Sequence, residues 1–402
     1  MSNHTELLSN RINSLAESQT LAMTKKAREI TAQGNKVINL SIGEPDFPTP
    51  DHIKEAAKKA IDDNFSFYAP VPGFPELRTA IAEKLKRDNN LDWKAENIIV
   101  STGAKQSLAN ALLCLVNPGD EVIIYSPYWV SYSELVKLAE GKAVLIQGKL
   151  EDNFIARIDQ LKAAITPKTK VIMFSSPSNP TGGMFSEEEL REIAAVVAQH
   201  PHIFVLADEI YEYITFGNKK FFSIGSIPEV KDQVITINGF SKGFAMTGWR
   251  LGYTASAKWI ADAMDKLQGQ VTSGANSFAM KAATVALNSD LGPTRKMAEA
   301  YKRRRDLVVK LINEIPGFKC PTPDGAFYVF PDISYYFGKS DGNTTINTAE
   351  DLCMYLLNTV FVSLVTGEAF GEPNCIRLSY AASDESLIEA IGKIKEGCAK
   401  LK

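Results

Sequence analysis

The sequence predicts an α/β fold: a large domain with a mostly parallel sheet flanked by helices, joined to a smaller α+β domain. Three observations predict it. Between Ser101 and Thr254, short β-branched apolar runs alternate with helical patterns, as βαβ units do. Beyond Thr254 the pattern changes to long helices, followed by short strands interleaved with further helices. At 402 residues, 45% of them hydrophobic, the chain is too long for one ordinary core and has ample apolar volume for two.

Taken in order, a helix is expected near 15–33, and the runs 98–101, 122–125, 144–147, 171–175, 203–207, 234–238 and 251–254 read as strands. Residues 104–116 keep an apolar stripe and stop at Asn117-Pro118-Gly119-Asp120. Ser186-Glu187-Glu188-Glu189 has the form of a capping box opening a helix over 190–199. A long helix is expected over 293–314, with Arg303-Arg304-Arg305 on a solvated face. Strands at 327–330, 361–365 and 376–380 then alternate with helices at 349–358 and 385–399. The division this suggests is 48–292 for the large domain, with 1–47 and 293–402 forming the small one.

Composition removes several function classes. A net charge of −3 offers no electrostatic reason to bind nucleic acid or an anionic membrane, so any anion site must be local. No apolar run approaches the roughly 20 residues that span a bilayer, and Met1 to Glu6 carry no basic stretch before an apolar core, so a cytoplasmic protein is expected. Five scattered cysteines form no CxxC pair, and the four histidines show no metal-ligand spacing. No metal is expected.

The segment with most chemistry runs from Gly239-Phe240-Ser241-Lys242-Gly243 to Thr247-Gly248-Trp249-Arg250-Leu251-Gly252. It follows a strand and is rich in small residues, so its backbone can approach a ligand while one lysine projects. Arg250 offers a planar donor set for phosphate, and Ser241 a hydroxyl. Amine and anion clamp together suit a phosphate-bearing aldehyde. Ser101-Thr102-Gly103-Ala104-Lys105 runs from a strand into a helix start, where backbone N–H groups and the helix dipole favour an anion, although an ordinary βα turn reads the same way. Asp208 ends an apolar strand, where ligands gather in parallel sheets and where a helix cap is also common.

These segments resemble the class I aminotransferases dependent on pyridoxal 5′-phosphate (PLP), in particular the bacterial aspartate aminotransferase branch. The likeness covers nearly the whole chain. It extends through Ile42-Gly43-Glu44-Pro45-Asp46-Phe47, Tyr68-Ala69-Pro70, Ser126-Pro127-Tyr128-Trp129, Asn179-Pro180-Thr181-Gly182, Asp208-Glu209-Ile210-Tyr211 and Ile376-Arg377-Leu378-Ser379, in the family's order. The resemblance implies the PLP-dependent transferase fold of type I and a homodimer. It implies that Lys242 holds PLP as a Schiff base and afterwards moves the substrate Cα proton as base and acid. It places Asp208 on the pyridine nitrogen, Tyr211 and Asn179 on the 3′ oxygen, and Trp129 on the ring face. Gly103, Ala104, Lys105, Ser241 and Arg250 surround the phosphate, with Tyr68 reaching the phosphate of the neighbouring subunit. Arg377 takes the substrate α-carboxylate as a bidentate pair, with Gly43 closing the pocket.

Amino-acid and 2-oxo-acid substrates and ping-pong kinetics follow from the resemblance. Lys105 matches the lysine that relatives use for a distal carboxylate, which favours L-aspartate, L-glutamate, 2-oxoglutarate and oxaloacetate. Relatives that accept prephenate carry a further basic residue near the N-terminal helix; Ala16 stands at the matching position, although Thr20 keeps the nearby hydroxyl. An aromatic or branched-chain aminotransferase, or a PLP-dependent carbon–sulfur lyase, would use the same cofactor residues. A nicotinamide dehydrogenase is disfavoured because no GxGxxG opens a helix after a strand.

Overall fold

The computed structural model describes residues 7–17, 19–217 and 219–402. Met1 to Glu6, read above for a leader, lie outside the described residues. The centre of the molecule is a seven-stranded sheet made of β1 (Ile98–Ser101), β2 (Glu121–Ser126), β3 (Lys142–Gln147), β4 (Thr169–Ser175), β5 (Phe204–Asp208), β6 (Val234–Gly239) and β7 (Gly252–Ala255). The spatial order is β1-β7-β6-β5-β4-β2-β3, and β7 runs opposite to the other six strands. Helices cover both faces, so β2 and β5 are buried along their whole length and need apolar residues at consecutive positions rather than alternate ones. β3, at one edge, keeps a mixed exposure.

Local signals account for the helix ends. The Ser186 hydroxyl accepts from the Glu189 N–H at 3.2 Å while the Glu189 carboxylate accepts from the Ser186 N–H at 2.6 Å, the reciprocal capping box expected there. The helix Ala104–Leu115 begins directly after β1, with Gly103 as its N-cap at φ 80° and no side chain capping its first N–H groups.

The remaining core joins distant parts of the chain. Met23 and Ala27 of the helix Gln19–Ala32, together with Ile38 and Leu40, pack in one apolar cluster with Met297, Tyr301, Leu352, Leu356 and Ile391. Ile38–Asn39 pairs in parallel with Val362–Ser363, and a three-stranded antiparallel sheet has Ile376–Ser379 between Val365–Thr366 and Tyr328–Val329. The run expected as one strand over 361–365 is thus split between two sheets.

One expectation needs correction. In the long helix Gly292–Asn313, the triplet Arg303-Arg304-Arg305 does not share a solvated face. Successive helical residues are about 100° apart, so three in a row cannot point the same way. Only Arg303 is exposed; Arg304 is buried between Asp46 (2.9 Å) and Asp384 (3.2 Å), and Arg305 donates to the Pro323 carbonyl at 3.0 Å. No described helix is long and apolar enough to cross a membrane.

Candidate active site

The carboxyl ends of β5 and β6 open onto a cavity of about 470 Å³. Its wall includes Gly43, Ala104, Lys105, Trp129, Asn179, Asp208, Tyr211, Ser241, Lys242, Arg250 and Arg377, so one space collects nearly all the residues singled out in the sequence. Parallel strands release their chains at this edge, which is why distant motifs meet here.

Asp208 closes β5 with its carboxylate buried. The Tyr132 hydroxyl donates to it at 2.7 Å and the Ile210 N–H at 3.3 Å. Burial pushes its pKa up to about 6, against the pull of these donors and of the Lys242 charge. Lys242 follows β6, and its Nζ donates to the Gly43 carbonyl at 2.5 Å. Burial first, and then the Arg377 charge, bring this amine down to about 8. A lysine lowered to that range has a substantial fraction of free amine near neutrality, as a nucleophile or base requires.

On one flank the start of the helix Ala104–Leu115 presents uncapped N–H groups, and Arg250 lies over it. Arg250 holds a left-handed backbone at φ 55° and donates to the Thr247 carbonyl at 2.8 Å. A Cβ on Gly103 would collide with the Arg250 guanidinium, and one on Gly252 would collide with the Ala104 nitrogen. Gly252 therefore permits a backbone approach that a side chain would block, and Gly103, at φ 80°, leaves Arg250 its place over the helix start. Uncapped N–H groups, the buried Ser241 and an arginine form a cradle for a dianion. Lys105 stands at its rim, with Nζ 4.9 Å from the Trp129 ring centroid and its pKa lowered by burial and by Arg250.

On the opposite flank Arg377 is 1% exposed. Its guanidinium donates to the Asn179 side-chain oxygen at 2.9 Å and to the Ser41 carbonyl at 2.6 Å, while Nε is buried without a partner. Among the described residues no carboxylate pairs with it. A buried cation with neutral partners and a free donor is poised for an anion from outside the chain.

The sequence profile of the family described as aminotransferase class I and II matches residues 35–394. The chain belongs to the class I and II aminotransferases. Among aminotransferases similar to it, a probable aspartate/prephenate aminotransferase of Rhizobium leguminosarum bv. phaseoli is 46% identical over 399 residues, covering 98% of this chain and 99% of the relative. An aspartate aminotransferase of Bacillus subtilis (strain 168) is 44% identical over 389 residues, covering 96% and 98%. The crystal structure of the aspartate aminotransferase from Rhizobium meliloti superposes with a TM-score of 0.95 at 41% identity, covering 98% of this chain and 99% of that one.

Of the cofactor and substrate residues singled out, Tyr68 and Gly103 are not on the cavity wall: Tyr68 is 96% exposed, next to the exposed Phe67, and Gly103 lies behind the Arg250 guanidinium. Ala16 lies in an outer recess of about 530 Å³ that shares Lys105, Val130 and Ser131 with this cavity, and its N–H donates to Glu134 at 2.8 Å. Sequence reasoning missed Tyr132, Ser41, Arg28 and Tyr328. Tyr132 stands three residues after Trp129, one helical turn on, and that spacing could have placed it. Ser41 acts through its backbone carbonyl, and Tyr328 reads as a core aromatic, so neither carries a signal of its own.

Proposed function

We propose that this aminotransferase is a PLP-dependent aspartate aminotransferase, transferring the amino group of L-aspartate to 2-oxoglutarate reversibly to give oxaloacetate and L-glutamate. The observation that carries the reading is the pair of cations, Arg377 and Lys105, on the wall of the cavity that also holds Lys242. Two anion sites in one cavity suit a dicarboxylic substrate better than a monocarboxylic one.

The residues present fit PLP. Gly103, Ala104, Lys105, Ser241 and Arg250 would hold its phosphate, Asp208 its ring nitrogen, Asn179 and Tyr211 its ring oxygen, and Trp129 its face. When bound, PLP supplies an aldehyde carbon for amine exchange and a ring that accepts the electrons left at the substrate Cα. Arg377, with Asn179 and Gly43, orients the α-carboxylate, and Lys105 beside Trp129 receives the distal one. Lys242 Nζ, partly deprotonated near neutrality, takes the Cα proton. Asp208 remains an anion at neutral pH because its Tyr132 and Ile210 donors offset part of the burial. Lys242→Ala removes both the covalent tether and the base, and should abolish turnover.

The exposed Phe67 and Tyr68 support a homodimer in which Tyr68 reaches the partner's site. The core containing Met23, Leu352 and Ile391, drawn mainly from both ends of the chain and meeting the larger body at Tyr211, Ile214 and Phe216, supports residues 1–47 and 293–402 acting as a small domain that carries Arg377 against the PLP-binding body 48–292.

The test is the visible spectrum of the purified protein with PLP, before and after single amino acids. Loss of the band with aspartate and glutamate, but little with alanine, leucine or phenylalanine, supports the proposal; a band that responds only to other amino acids refutes the substrate assignment. Prephenate is a second reading. The base absent at Ala16 has a counterpart in Arg28, which lines the cavity from the helix Gln19–Ala32, and relatives bear the name aspartate/prephenate aminotransferase. Recovery of the band from the aminated cofactor form on adding prephenate, and its loss in Arg28→Ala, would establish it.

A further inference from the structure

Tyr328 lies on the cavity wall at the meeting point of the two halves of the site. Its hydroxyl is 2.8 Å from the Tyr211 hydroxyl, and either atom could be the donor. A Cβ on Gly43, whose carbonyl receives Lys242, would sit 2.5 Å from the Tyr328 hydroxyl. The Arg377 guanidinium lies 4.6 Å from the Tyr328 ring centroid. Both phenols are buried.

Donor counting sets the direction of the bond once a cofactor is present. A phenol has one proton. If Tyr211 donates to the cofactor's ring oxygen, it must accept from Tyr328. The electrostatics agree: burial raises both phenols and the Arg377 cation works against that rise in both, but Tyr211 is raised further by Tyr328 and Asp208, which leaves Tyr328 the more acidic of the two and hence the better donor.

We propose that Tyr328 is a positioning residue: its hydroxyl donates to Tyr211, aims the single Tyr211 proton at the cofactor oxygen, and its ring seats Arg377 for the substrate carboxylate. This rests on the PLP reading above and assigns a role that the motif residues do not cover. Donation from Tyr328 polarises Tyr211 and strengthens its own donation. That donation matters most when the nitrogen joining Lys242 to the cofactor has lost its proton, because the ring oxygen then carries charge that the proton no longer shares. Removing the Tyr328 hydroxyl therefore raises the pH at which this nitrogen deprotonates. The charged groups facing Lys242 are Arg377 and Arg250, which lower its pKa, and Glu44 and Asp208, which raise it; all four remain in place in Tyr328→Phe.

The experiment is a pH titration of the visible band in PLP-loaded wild type, Tyr328→Phe, Tyr211→Phe and the double variant, with KM and kcat for aspartate alongside. Tyr328→Phe should move the midpoint up by about half a pH unit, a fraction of what one charge-assisted hydrogen bond contributes. Tyr211→Phe should move it further, and the double variant should match Tyr211→Phe. KM should stay within about twofold in Tyr328→Phe and rise about tenfold in Tyr328→Leu, which also loses the ring against Arg377 but should show the same upward midpoint shift. A wild-type midpoint in both Tyr328 variants, or an undiminished shift in the Tyr211→Phe background, overturns the proposal. If wild type itself gives no pH-dependent band with PLP, the functional reading falls first and takes this one with it.

Discussion

Two buried cations, Lys84 and Arg377, are almost equally hidden from water, at 0% and 1% exposure, yet their partners differ in kind. Lys84 is on the buried face of the helix Pro75–Asn89, paired with the Glu212 carboxylate and donating to the Asn89 side chain at 2.6 Å; Asn89 also donates to Glu212 at 2.7 Å. Its charge is matched within the fold. Arg377 has only neutral acceptors and an unpartnered Nε, beside a cavity. Burial alone does not mark a functional cation; an incomplete partner set does.

Mutation should separate the two most sharply in activity. Arg377→Leu should lower kcat/KM for aspartate by about a thousandfold, the scale of losing a buried bidentate charge pair. The same change should leave the melting temperature of the cofactor-free protein level or higher, because a desolvated charge is removed. A large loss of stability with modest kinetic change would make Arg377 a structural cation like Lys84.

Lys84 should behave in reverse. Lys84→Met strands Glu212 in the core and should cost about 3–5 kcal/mol in denaturant unfolding, whereas the double variant Lys84→Met, Glu212→Leu should recover most of it. Equal destabilisation by single and double variants would show that the pair is worth more than its packing.

Lys242 tests the same contrast by pH, with the smallest effect. Its native pKa of about 8 lies below the ordinary lysine value of 10.5, so the unfolded chain binds more protons between these limits. This group therefore weakens the cofactor-free fold below about pH 8, and its cost fades as the pH rises towards 10.5. Lys242→Met should raise the melting temperature of the cofactor-free protein by roughly 2 °C at pH 7, with the difference shrinking by pH 10. A pH-independent difference would assign the effect to packing instead.

How much of this was legible depended on distance along the chain. The strands of the large sheet, the Ser186 capping box and the Lys242 loop rest on residues within a few positions of one another, so their patterns survive in a linear reading. The Arg triplet failed because a run of three cations looks solvated until Asp46 and Asp384 are brought from 258 and 80 positions away to bury Arg304. The double strand at 361–365 was invisible for a related reason, since its first partner is Ile38–Asn39 and its second Ile376–Ser379.

By itself the sequence determined the residue types and their local spacing: a lysine on a small-residue loop after a strand, an aspartate at a strand end, a glycine before a helix, and an arginine between Ile376 and Leu378 in a strand-like run. Only the tertiary structure decided which charges are matched. Desolvation and hydrogen-bond partners depend on what the folded chain brings within about 3 Å, and those groups come from segments far apart in the sequence. That is why Lys84 closes its own pair while Arg377 is left open to a ligand, and why Tyr328, unremarkable in the sequence, stands between Tyr211 and Arg377.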